Sequence, residues 1–188
     1  MSELRKLYTL EPPESPLPAA LAFLRHACFR LQADYLPKIT QALERLDDEQ
    51  VWWRANEASN SIGNLLLHLS GNVRQWLIAG VGGAPDVRTR AAEFAAQQTL
   101  DRQTLLAQLT ETLDEADAVL ASLTTQVGQS DVPLQRVCVP QGFPQTVLDA
   151  IFHVVEHFSY HAGQIVYLAK QLSGERTQFY DERALNRE

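Results

Sequence analysis

Residues 145–172 decide the fold: Gln145-Thr-Val-Leu-Asp-Ala-Ile-Phe-His153-Val-Val-Glu-His157-Phe-Ser-Tyr-His161-Ala-Gly-Gln-Ile165-Val-Tyr-Leu-Ala-Lys-Gln-Leu172. Leu148, Ile151, Val155, Phe158, Ala162, Ile165, Val166 and Ala169 recur at helical spacing. The stretch therefore reads as one amphipathic helix with a single buried stripe, and Gly174 is its natural stop. The same period runs from Ala19 to about Leu46 through Leu21, Leu24, Cys28, Leu31, Tyr35, Ile39, Ala42 and Leu46, with Pro37 expected to kink it. A second helix, capped by Ser59 or Asn60, is predicted to run to about Ala79, where Gly80, Gly82, Gly83 and Pro85 end it. The third carries Leu105, Leu109, Leu113, Ala116, Leu120 and Leu123 to about residue 124, and its acidic residues Glu111, Asp114, Glu115 and Asp117 read as a solvated face.

Two connections are longer than neighbouring bundle helices usually need. Residues 84–99 read as a polar loop, while 128–144 hold a β-prone run, Leu134–Val139, that fits a small hairpin or extended crossover. The expected class is all-α, a single four-helix bundle with long crossover connections. It divides into an extended proline-bearing lead-in (1–18), the bundle (19–173) and a polar C-terminal tail (174–188).

A chain of 188 residues with 45% hydrophobic and 21% charged residues suits one globular domain. Sixteen Lys and Arg against 23 Asp and Glu give a net charge of −7, the wrong sign for neutralising phosphates, so no nucleic-acid partner is expected. The two cysteines, Cys28 and Cys138, form neither a disulfide framework nor a metal knuckle, and Cys138 reads as an inert buried thiol. With no signal-like N-terminal run and no membrane-length apolar segment, the expectation is a cytoplasmic protein with no membrane partner.

The chemistry lies in the histidines. His153, His157 and His161 stand at i, i+4 and i+8, so successive members sit about 40° apart on the helix and roughly 6 Å apart along it, and an adjacent pair can chelate one ion. On the wheel His161 lies just inside the apolar stripe and His157 at its margin, with His153 farther out beside Asp149, Tyr160 and Gln171, which favours His157 and His161. A third ligand must come from another helix. His68 flanks the stripe of Ile62, Leu65, Leu66, Leu69, Val73 and Trp76, with Asn64 and Asn72 a turn to either side as candidate substrate-binding groups. His26 is a geometric substitute in surroundings that do not resemble a site. Three imidazoles with an open position suit zinc or nickel, and no carboxylate is in place for iron oxygenase chemistry. The competing reading packs the same histidines as ordinary side chains without metal.

His153-Val-Val-Glu156-His157 also matches the string of inverted zinc proteases, although Glu156 falls on the polar side of the wheel. Glu156 and Tyr160 are candidate acid or base groups, both turned away from the ligand pair. Gln164, one turn beyond His161, can bond a ligand histidine or a metal-bound water. Arg88 and Arg90 in the polar loop can hold an anionic substrate tail, while Trp52 and Trp53 read as aromatic packing over the bundle end.

Asn60-Ser-Ile-Gly-Asn-Leu-Leu-Leu-His68-Leu-Ser-Gly-Asn72 and Val154-Val-Glu-His157-Phe-Ser-Tyr-His161-Ala-Gly-Gln164-Ile resemble the DinB-like (DinB/YfiT) superfamily, in a branch of unknown function. Arg88-Thr-Arg-Ala-Ala-Glu93-Phe94 and the Trp52-Trp53 pair resemble that branch too, except that Thr89 stands where Asp is common. The resemblance implies one divalent metal on His68, His157 and His161 in a crossover four-helix bundle that forms a homodimer. It implies a metal-dependent enzyme acting on a small molecule, a thiol-dependent S-transferase first, with a low-molecular-weight thiol as cosubstrate. A metal-dependent hydrolase and a non-catalytic, stress-related metal- or ligand-binding module are the alternatives.

Overall fold

Helix accounts for most of the computed structural model, which describes residues 16–127 and 130–180. Most of the expected lead-in, Gly128 and the end of the tail lie outside the described residues. Helix α1 (Ala19–Cys28) passes without a break through a π-helical segment, π1 (Phe29–Tyr35), into α2 (Leu36–Leu43). Pro37, where a kink is expected, stands in the first turn of α2, directly after these wide turns. They lie just before the proline, where its ring and missing N–H need room against the carbonyl four residues back.

Helix α3 (Asp48–Trp52) starts in a capping box of Asp47 and Gln50. It buries Trp52, whose indole covers Gly63 so closely that a Cβ there would lie 2.9 Å from the ring. Trp53 is exposed, so only the first of the pair packs inside.

Helix α4 (Ile62–Val73) is capped by Ser61, one residue past the expected Asn60, because Asn64 three positions on completes a reciprocal capping box. It continues as π2 (Arg74–Val81), so Gly80 lies within the helix and Gly82 ends it. Residues 84–99 are not only loop: α5 (Arg90–Ala95) forms there and packs on α4. Helix α6 (Arg102–Val127) follows, and Asp117 in its acidic row is buried, not solvated.

Within the expected β-prone run, Leu134 and Gln135 belong to a turn of helix, α7 (Val132–Gln135). The small hairpin is present: β1 (Val137–Cys138) pairs antiparallel with β2 (Gln145–Thr146), Val137 opposite Thr146. Helix α8 (Val147–Ser173) is capped by Thr146 and ends at Gly174, which takes a left-handed φ of 70° that favours glycine.

Helix α8 packs along α2, π1, π2 and α4, while α6 packs along α4, α1 and π2. The buried stripe of α8 is Val147, Ala150, Ile151, Val154, Phe158, Ala162, Ile165 and Ala169, whereas Leu148 is exposed and Val155 and Val166 are half-buried. Relative to expectation the stripe is rotated toward the histidines by about half the 100° step between residues. Among the described residues no helix is long and apolar enough to cross a membrane.

Candidate metal centre

The Ser61–Asn64 cap fixes where α4 begins, and His68 one turn later is buried at 4% exposure. From α8, His157 and His161 face it at the edge of the stripe. One ligand nitrogen from each of the three lies within 4.8 Å of the others, and His68 Nε2 is 3.1 Å from His157 Nε2. Two nitrogens on one tetrahedral zinc, each about 2.0–2.1 Å from it, would stand roughly 3.3 Å apart. The His68–His157 separation is close to that.

His153 is not part of this group. Its ring lies 4.0 Å from that of Trp76 and its Nε2 meets the Asn72 amide at 3.3 Å. His26 is exposed on α1 beside Phe29.

The outer nitrogens of two of the three rings are held. His161 Nδ1 lies 2.7 Å from Gln164 Oε1, and His68 Nδ1 lies 2.9 Å from Glu93 Oε2. Each contact falls on the ring nitrogen turned away from the cluster, where metal-binding histidines usually carry their outer partner. His157 Nδ1 is buried without a partner. Burial and the neighbouring His161, His68 and His153 push the His157 imidazole down to about 3. Burial likewise lowers His161, against the opposing Gln164 bond, so both rings are neutral at neutral pH. Neutral imidazole is the form that binds a metal.

The connection before α6 closes one side of the centre. Arg88, whose side chain is 3% exposed, donates from Nε to Glu93 Oε1 at 2.7 Å and from Nη2 to Glu93 Oε2 at 2.9 Å. Its Nη1 donates to Gln75 Oε1 at 2.9 Å, where Gln141 Nε2 also donates at 2.7 Å. Burial pushes the Glu93 carboxyl up, but Arg88 and His68 more than offset this and hold it below its usual range. A cavity of about 530 Å³ opens beside His68 and His157, with Arg90, Gln141, Trp76 and Asn72 in its wall.

Arg88 is therefore a buried, fully engaged side chain and not a solvated loop arginine. Arg90 stands over the Phe94 ring at 4.8 Å. Asn64 is fully buried at the helix cap, where it receives Arg54 and donates to the carbonyls of Glu93 and Ala96. Glu156 and Tyr160 are exposed on the solvent side of α8, the former away from the position an inverted-protease base would need. Cys138 is buried, and burial raises its thiol. Sequence reasoning passed over Glu93, Gln75 and Gln141. Glu93 was visible only as part of the Arg88–Phe94 string.

The donor set fits a divalent ion: three imidazoles converge, two of them kept neutral by burial and two with an outer partner on the nitrogen turned away from the cluster. A family model described as a protein of unknown function (DUF1572) matches residues 19–180, and the chain belongs to that family. No curated protein and no solved structure gives a significant match.

Proposed function

We propose that the chain is a divalent-metal-dependent enzyme built as a DinB-like four-helix bundle over residues 19–173, with His68, His157 and His161 holding one zinc or nickel ion. The observation that carries the reading is the convergence of three imidazole nitrogens within 4.8 Å from two helices, reinforced by the outer partners that hold two of the rings. When bound, the ion supplies a Lewis acid that lowers the pKa of a coordinated thiol or water. Gln164 and Glu93 keep their histidines aligned, and the amides of Asn72 and Gln141 with the Arg90 guanidinium orient a small, anionic substrate in the adjoining cavity. Thiol transfer to an electrophile is the reaction the superfamily resemblance favours. The reading includes a cytoplasmic homodimer that binds neither nucleic acid nor membrane.

Elemental analysis of the purified protein beside a His157→Ala/His161→Ala variant tests it. About one zinc or nickel per wild-type chain, lost from the variant, is expected. A screen of thiols with electrophiles should then give turnover that His68→Ala abolishes in a folded protein. Absence of metal from the wild type after reloading would refute the centre, and metal without turnover would leave a binding module.

A further inference from the structure

We propose that Glu93 is the positioning residue of the centre: it holds His68 as the Nδ1–H tautomer and so presents the Nε2 lone pair to the ion, with Arg88 anchoring the carboxylate. The proposal rests on the metal reading above and deepens it.

Nδ1 of His68 faces two groups, Glu93 Oε2 at 2.9 Å and Arg88 Nη2 at 3.0 Å. An unprotonated Nδ1 would set its lone pair against a carboxylate oxygen, so the proton belongs between them. Arg88 Nη2 has other acceptors, Glu93 Oε2 at 2.9 Å and the His68 carbonyl at 3.5 Å. Glu93 meets the side of the ring opposite Nε2, so it supports a ligand and is not one.

The surroundings leave the carboxylate little freedom. Arg88 bonds both of its oxygens, and Gln75 holds the far end of that guanidinium. Helix α4 approaches at Gly71, where a Cβ would collide with Glu93 Oε1. Phe94, the next residue of α5, packs its ring 4.7 Å from the His68 ring. One short helix thus delivers both the bond that sets the tautomer and the surface that sets the ring plane. Outer carboxylates of this kind typically change metal affinity about 10–100-fold.

Two readouts test this. In metal-free protein, imidazole ¹⁵N spectra should show His68 protonated on Nδ1, and in Glu93→Ala that preference should be lost. Titration with Co²⁺, followed by its visible absorption, should show affinity falling about 10–100-fold in Glu93→Ala. Gly71→Ala, which displaces the carboxylate without removing it, should do the same. Glu93→Gln keeps an acceptor oxygen and should lose less. Nε2–H protonation of His68 in the wild type would overturn the proposal. The remaining failures are separable: a wild type that takes up no Co²⁺ refutes the metal reading and this role with it, whereas wild-type uptake with unchanged affinity in Glu93→Ala and Gly71→Ala refutes only the role of Glu93.

Discussion

The two long connections make an instructive pair. Both are polar, punctuated by Gly and Pro, and of similar length, yet one is built into the candidate centre and the other mostly faces solvent. In residues 82–101, backbone carbonyls are claimed by side chains of α3, α4 and the turn between them: Asn64 and Arg54 reach Ala96, Arg54 also reaches Phe94, and Trp52 Nε1 donates to Leu100 at 2.7 Å. In residues 130–146, Val132, Val137, Val139 and Phe143 are exposed, and the anchors are Leu134, Cys138 and Pro140 with the bonds from Gln141 to Gln75 and from Arg136 to the Val81 carbonyl. A connection becomes structural when its orphan carbonyls find donors, whatever its composition.

That contrast can be broken most severely at Arg88. Arg88→Leu leaves the part-buried Glu93 carboxylate with the His68 contact alone, and the expected loss, read by urea unfolding of metal-free protein, is about 2–4 kcal/mol. Asn64→Ala removes a cap and two bonds to the first connection at once. A loss of about 1–3 kcal/mol is expected in the same assay.

Acid should act on the centre in a graded way. An unfolded histidine titrates near 6.5, while His157 is pushed down to about 3 when folded, so between these values the unfolded chain binds more protons. Stability of the metal-free protein should be fullest above pH 6.5 and fall as pH drops toward 3, partly relieved by solvent because His157 is half-buried. His157→Gln should flatten that part of the pH–stability curve, and an unchanged slope would contradict the assignment. The smallest effect belongs to the second connection: Val139→Ser with Phe143→Ser should stay within about 0.5 kcal/mol of wild type. A larger loss would show that the hairpin is anchored as firmly as the first connection.

Helical segments were readable from period alone, because apolar spacing survives small errors in phase. The phase itself was not readable. Val147 and Val154 on one side of α8 and Leu148 and Val155 on the other are equally apolar, and only packing against α2 and α4 decides between them. Ser59, Asn60 and Ser61 can each cap a helix, and the choice turned on Asn64 answering Ser61. At the centre, the wheel put His157 and His161 on the inward side of α8. Glu93 carried no comparable signal, since α5 buries none of its residues and its partner is 25 positions away. Arg88 looked like a loop cation because its acid, its amide and its histidine meet only in three dimensions.

The π-helical segments mark where the gene can change length. A π turn carries a residue more than an α turn, so a one-codon deletion within residues 29–35 could restore regular helix and keep every backbone bond satisfied. It would also leave α1 nearly in phase with α2, because the wide turn already absorbs the extra residue, so Leu24, Ala27 and Cys28 would still face the core they now fill. In α8, which has no such turn, the same deletion would rotate everything beyond it by about 100°, so the chain between Leu24 and Ile39 tolerates a change of length that α8 does not.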